Sequence, residues 1–174
     1  MKKQISWDKV KPETQSVWGG ETDVFPHRAT QAPTVNSVAY GYDDMDEWVQ
    51  VTKGQKEGHI YSRNSNPTVD VLEEKIRILE GAQAATSFSS GMAAISNTLF
   101  AHLKSGDRVV ASKDTYGGTS KIFIEFLPKY GIEVKLCDTT DHEQIEKEVV
   151  KGCKLLYLET PTNPTLKIQD IKKL

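Results

Sequence analysis

Four short segments carry side chains suited to holding an anion and a flat ring. The first is Tyr61-Ser62-Arg63-Asn64-Ser65-Asn66-Pro67-Thr68. In an extended stretch, residues two apart point the same way, so the Tyr61 phenol and the Arg63 guanidinium would face one side. Such a pair makes a forked donor set for a phosphate. A surface arginine paired with a carboxylate fits the same residues. The second segment, Ser89-Ser90-Gly91-Met92, opens a helix after the small, apolar run from Ala84 to Phe88. A helix start presents free N–H groups and the positive end of the dipole. Gly91 would let an anion approach the backbone and Ser90 would add a hydroxyl, although Ser and Gly before a helix are more often plain capping.

The third segment, Asp114-Thr115-Tyr116-Gly117-Gly118-Thr119, follows a strand end, where open α/β sheets bind ligands. The paired glycines leave room beside Tyr116, and a flat molecule could stack on that ring. A glycine turn with a packed tyrosine is the alternative. The fourth, Glu159-Thr160-Pro161-Thr162-Asn163-Pro164, also follows a strand. Its prolines stiffen a loop and its Asn163 offers a rigid amide. A stiffened connection with no ligand is the other reading.

These segments need elements to position them. Asn66 and Pro67 read as the cap and first position of a helix, with Val69, Leu72, Ile76 and Leu79 on one face and Gly81 as its stop. A second helix starts at Ser90-Gly91, with Met92, Ile95, Leu99 and Leu103 as its stripe, and stops at Gly106. Asp107–Ser112 is a short strand. Ile122, Phe123, Phe126, Leu127 and Tyr130 form a third helical face, which Pro128 should kink or shorten. Ile132–Cys137 alternates like a half-buried strand. Thr140 and Glu143 suggest a capping box for a short helix, and Lys154–Glu159 a last strand. Strands alternating with helices imply an α/β fold: a parallel or mixed sheet with helices on both faces.

Residues 1 to about 60 look different. They hold Pro12, Pro26, Pro33 and the tryptophans Trp7, Trp18 and Trp48, with little sustained periodicity. They read as an irregular arm that packs on another subunit. At the other end, Ile168, Ile171 and Leu174 read as the opening of a further helix, so the sequence looks cut short.

The chain has 174 residues, enough for one ordinary domain with a real core. With 37% hydrophobic and 26% charged residues it is globular in composition. A net charge of -2 gives no attraction to nucleic acid or an anionic membrane, and favours a small-molecule or protein partner. No apolar run approaches the ~20 residues of a membrane span. The basic start Met1-Lys2-Lys3-Gln4 has no apolar stretch behind it, which argues against a secretory signal. Cys137 and Cys153 read as core thiols, a disulfide being the alternative. No metal ligand set is expected, and the cytoplasm is the natural location.

The order and spacing of YSRNSNPT, SSGMAAI, DTYGGT and ETPTNP resemble the Cys/Met-metabolism (trans-sulfuration) branch of fold-type I pyridoxal-phosphate (PLP) enzymes. The branch includes cystathionine gamma-lyase and gamma-synthase, methionine gamma-lyase and O-acetylhomoserine sulfhydrylase. The resemblance covers Tyr61 to the end. It implies an arm over 1–60 and the first part of a PLP-binding α/β domain over 61–174. It also implies a PLP phosphate held by the Gly91 and Met92 amides, with Ser90 as a further neighbour. Tyr61 and Arg63 would reach the phosphate of a neighbouring subunit, so sites would be shared in a homo-oligomer, as a dimer of dimers. Tyr116 would stack on the cofactor and help move protons as the catalytic residue. Asn163 would meet the 3-hydroxyl side.

The implied reaction is gamma-elimination or gamma-replacement on sulfur-containing or homoserine-derived amino acids, with PLP as electron sink. A cystathionine gamma-lyase-like activity ranks first. The family's Schiff-base lysine, pyridine-nitrogen aspartate and carboxylate-binding arginine all fall beyond the matched region. This sequence is therefore expected to be a segment of a longer enzyme, the product of a split gene, or a non-catalytic relative used for binding or assembly.

Overall fold

The computed structural model describes residues 5–21 and 25–174; the basic start Met1–Gln4 lies outside them. The chain forms two compact units, Met1–Ser87 and Phe88–Leu174. The helix that begins at Asn66 thus belongs with the residues before it.

Three helices organise the first unit: α1 (Pro12–Trp18), α2 (Met45–Thr52) and α3 (Pro67–Leu79). The sequence pattern suggested an irregular arm because α1 and α2 span two turns each, too little for periodicity to show. Local chemistry forms them instead. Pro12 occupies the first turn of α1, and the Asp44 carboxylate caps α2 by accepting the Asp46 N–H. The expected cap of α3 is present: the Asn66 side chain accepts the Thr68 N–H at 2.8 Å.

The expected buried face of α3 is not the one this chain buries. Val69, Leu72, Ile76 and Leu79 stay exposed, while Ile78 is buried. The reason is the approach of α1. At Gly20, whose φ is +76°, an added Cβ would stand 2.6 Å from the Val71 carbonyl oxygen, and at Gly19 one would touch Ile78. Lys75 then closes the contact, donating to the Val17 carbonyl and to Glu21. The face at Val71, Lys75 and Ile78 is therefore the one that meets α1.

The second unit is built on three parallel strands, β1 (Arg108–Ser112), β2 (Glu133–Cys137) and β3 (Leu155–Tyr157), in the order β2-β1-β3. Val109 of β1 pairs with Val134 and with Leu155. Alternation along β1 sends Val109 and Ala111 to one side and Val110 to the other. The first side packs on Leu99, Leu103, Ile122, Phe123 and Leu127 of the helices. The second packs on Ile145 and Cys137. Helices therefore cover both faces, as the element pattern implied. Both cysteines are free thiols; Cys137 is buried, and burial pushes its pKa up.

The helices of this unit are α4 (Gly91–His102), α5 (Gly117–Lys121), α6 (Leu127–Lys129) and α7 (His142–Val150). A π-helical turn, Ile122–Phe126, joins α5 to α6. Pro128 lacks an N–H and crowds the carbonyl four residues earlier, so the chain widens just before it. The Leu127 N–H accordingly bonds back to the Ile122 carbonyl, five residues away. Leu127 is buried, whereas Phe126 and Tyr130 of the expected stripe are exposed. Two further expectations are corrected. Asp141, not Thr140, caps α7 by accepting the Gln144 N–H at 2.9 Å, because Thr140 is already bonded to Asp138. The residues around Ile168, Ile171 and Leu174 form turns and extended chain instead of a helix. Gln169 is buried there and holds the backbone by polar bonds that a continuous helix would disrupt.

Candidate functional site

In the first unit, the Tyr61–Ser65 segment is a turn and not an extended strand. Asn64 and Ser65 both donate to the Tyr61 carbonyl, at 2.9 and 3.3 Å. Tyr61 forms a single bridge with Ala39, and the Ser62 N–H donates to the Val38 carbonyl at 2.8 Å. His59 lies within hydrogen-bonding distance of the Ser65 hydroxyl at 2.9 Å, which closes the turn. The turn still brings the two expected side chains together. The Arg63 guanidinium carbon sits 4.8 Å from the centre of the Tyr61 ring, a cation–π contact that presents both donors side by side.

In the second unit, the remaining expected residues gather at the C-terminal ends of the strands. Ser90 caps α4: its hydroxyl accepts the Ala93 N–H at 3.1 Å and its carbonyl accepts the Ala94 N–H. The Gly91 and Met92 N–H groups are left without a hydrogen-bond partner among the described residues. A Cβ at Gly91 would meet nothing within 4 Å, so no other part of the chain crowds that side of Gly91. Gly118 marks a close approach. A Cβ there would stand 2.8 Å from the Tyr116 ring and 3.0 Å from the Met92 sulfur. The glycine pair thus does make room beside Tyr116, and Gly118 is the member that matters. Tyr116 itself is half exposed, with its ring available to a ligand.

Asn163 reaches the same group of loops through a residue that sequence reasoning passed over. The Glu159 carboxylate accepts the Tyr116 N–H at 3.0 and 3.3 Å and the Asn163 N–H at 3.3 Å. The Tyr157 hydroxyl also donates to it, at 3.4 Å. Burial first, and then the charge of Glu159, push the Tyr157 phenol above its ordinary pKa. Glu159 opens the ETPTNP segment, so its position was visible in the sequence; its partners were not.

A second network fixes the loops that follow all three strands. Buried Thr139 donates to Asp114 at 2.8 Å, and Lys167 bonds the same carboxylate oxygen at 2.9 Å. The Lys167 ammonium, followed by the Thr139 hydroxyl, holds the Asp114 carboxyl below the ordinary carboxylate range. Buried Gln169 accepts from the Ser112 hydroxyl, donates its side-chain amide to the Thr139 carbonyl and donates its backbone N–H to the Thr160 hydroxyl. Thr139 and Gln169 are polar residues in unpatterned loops, and nothing in the sequence marked them.

Free helix-start amides, an available aromatic ring and an exposed amide at the ends of parallel strands suit a phosphorylated aromatic cofactor. The sequence pattern of the Cys/Met metabolism PLP-dependent enzymes matches residues 13–174. The chain belongs to this family. It is 38% identical over 160 residues to an L-methionine gamma-lyase of Porphyromonas gingivalis, covering 91% of this chain and 40% of the relative. It is also 38% identical over 162 residues to a cystathionine gamma-lyase of Bacillus subtilis, covering 93% of this chain and 40% of the relative. Among solved structures, a Campylobacter jejuni chain assigned as an O-acetylhomoserine (thiol)-lyase, with N'-pyridoxyl-lysine-5'-monophosphate, superposes with a TM-score of 0.86 at 33% identity. That match covers 95% of this chain and 40% of the other.

The fold is therefore that of fold-type I PLP-dependent enzymes, and this chain spans about 40% of the length of the relatives it matches. The residues present fit the family's cofactor. The Gly91 and Met92 amides, unpaired among the described residues, are donors that a phosphate could use, and the exposed Tyr116 ring is a surface that a planar group could meet. No helix among the described residues is long and apolar enough to cross a membrane.

Proposed function

We propose that the protein takes part in PLP-dependent gamma-elimination or gamma-replacement on sulfur-containing or homoserine-derived amino acids, with a cystathionine gamma-lyase-like reaction first. One observation carries this reading: a family match over residues 13–174 whose segments fold into a helix start with free amides beside an accessible tyrosine ring. When bound, PLP supplies the electron sink that makes the substrate's carbon-bound protons removable.

The chain's own residues have separable tasks. The Gly91 and Met92 N–H groups hold the phosphate, helped by the positive end of α4. The Ser90 hydroxyl accepts from Ala93 and keeps its O–H free to donate one bond to an anionic phosphate. The Tyr116 ring packs against the cofactor, and its phenol oxygen holds or passes a proton. The Asn163 side-chain amide bonds the 3-oxygen side. Tyr61 and Arg63 grip the phosphate of a neighbouring subunit, with the 1–60 region as an arm across that interface. Sites shared in this way require a homo-oligomer, and a dimer of dimers in the cytoplasm is the form we propose.

The test uses the full-length protein. Bound cofactor should give visible absorbance, and L-cystathionine or L-methionine should yield a 2-oxo acid and ammonia. Both substrates are assayed because the identity to a gamma-lyase for each is the same, 38%. A protein that takes up no PLP and releases no 2-oxo acid overturns the proposal.

A further inference from the structure

We infer that Glu159 is a positioning residue that sets the ring-stacking Tyr116 and the ligand-facing Asn163 in register with each other. The inference rests on the PLP reading above. Glu159 lies two residues beyond the end of β3 and touches both loops through their backbone, not through the side chains that would meet a ligand. One oxygen accepts the Tyr116 N–H at 3.0 Å and the Asn163 N–H at 3.3 Å; the other accepts from Tyr116 at 3.3 Å and from the Tyr157 hydroxyl at 3.4 Å.

The Asp114–Thr139–Lys167 network fixes other parts of these loops, but the Tyr116 and Asn163 N–H groups have no acceptor besides this carboxylate among the described residues. Pro161 and Pro164 carry no N–H, and the Thr162 N–H already donates to the Lys167 carbonyl at 3.0 Å. The Asn163 N–H is thus the donor that ties the tip of that loop inward. Tyr116 stands at the N-cap of α5 and makes no side-chain cap bond of its own. Its ring lies in the close approach at Gly118 and Met92, where a small shift of the peptide changes the ring's placement. An ionised acceptor makes stronger bonds than a neutral one, so a single charged group can hold both of these peptides at once. Tyr157 anchors the carboxylate in turn, and its ring packs edge-on against buried Phe123 at 5.0 Å. A chain of contacts therefore runs from the core through Glu159 to both ligand-facing residues.

The experiment compares full-length wild type, Glu159→Ala and Glu159→Gln by two readouts. Amide hydrogen exchange without cofactor is followed over residues 114–119 and 160–165, with 108–112 as the core reference. PLP titration is followed by visible absorbance and by the induced circular dichroism of the bound chromophore, which reports its orientation. In Glu159→Ala, exchange in both loops should accelerate about tenfold while 108–112 is unchanged, and the apparent Kd for PLP should rise about tenfold. Glu159→Gln keeps one acceptor oxygen and the shape, so it should fall between wild type and Glu159→Ala in every readout.

Unchanged exchange in both loops of Glu159→Ala would overturn the inference. So would faster exchange with wild-type Kd and dichroism, since the carboxylate would then be holding loops without placing the ring. If Glu159→Ala also loosens 108–112, Glu159→Gln decides by the same criteria. A wild type that binds no PLP overturns the functional reading and the positioning role with it, and it is recognised before any variant is compared.

Discussion

The two units of this chain hold their ligand-facing residues by different means. In the first, Tyr61 and Arg63 stand on a turn closed by bonds to nearby segments: Tyr61 to Asn64 and Ser65, Val38 to Ser62, and His59 to Ser65. The longest helix beside that turn, α3, leaves an apolar stripe exposed. In the second, Met92, Tyr116 and Asn163 rest on a parallel sheet whose central strand is buried on both faces, and polar bonds link the loops after every strand. A side chain fixed by a local turn depends on a few exchangeable hydrogen bonds. One fixed by a sheet inherits the rigidity of a close-packed core. The second arrangement suits residues that must place a ring, and the first suits a clamp that only has to reach an anion.

The comparison breaks most sharply at the core. Phe123 is fully buried against Tyr157, and Phe123→Ala should cost about 3–5 kcal/mol. Leu72→Ala, on the exposed stripe of α3 at 52% exposure, should cost less than about 1 kcal/mol. Urea unfolding of the two variants measures both. Equal losses would mean that the stripe is covered in solution and that the contrast between the units is false.

Gly118→Ala probes the preorganised ring. Its methyl would stand 2.8 Å from the Tyr116 ring and 3.0 Å from the Met92 sulfur. We expect a loss of about 1–3 kcal/mol, with displaced Tyr116 ring resonances in NMR spectra while those of Leu99 stay in place. Asn66→Ala probes the locally held unit. It removes the cap of α3 and the bonds to the Val35 carbonyl and the Tyr40 hydroxyl, for about 1–2 kcal/mol. Faster exchange confined to residues before Ser87 would confirm that the effect stays in that unit.

The smallest effect is the pH dependence of the Asp114–Lys167 pair, whose carboxyl pKa is lowered and ammonium pKa raised. The carboxylate contributes stability above its unfolded pKa of about 3.9 and loses it as pH falls through the lower folded value. The ammonium contributes below its unfolded pKa of about 10.4 and loses it as pH rises through the higher folded value. The gap in unfolding midpoint between wild type and Lys167→Met should therefore be widest from about pH 5 to 9 and shrink at both extremes. It should also narrow in high salt, because the pair is partly exposed.

Residue types and short-range spacing determined much of this. Caps at Asn66 and Ser90, the short apolar run of β1, alternation in β2, and the Pro and Gly stops marked the elements, because each acts within one turn or one strand. The four ligand segments were legible for the same reason, and so were the family and its PLP chemistry, because motif order is a property of the chain itself. The sequence did not show which face of α3 is buried, since that depended on where α1 and Gly20 come to rest. Nor did it show that Glu159 joins Tyr116 to Asn163, or that Thr139 and Gln169 bind together loops from three strands. Those bonds connect residues that sit far apart in the chain. A polar side chain in a loop carries no pattern, and only the packed sheet, by bringing three strand ends together, decides which partner it meets.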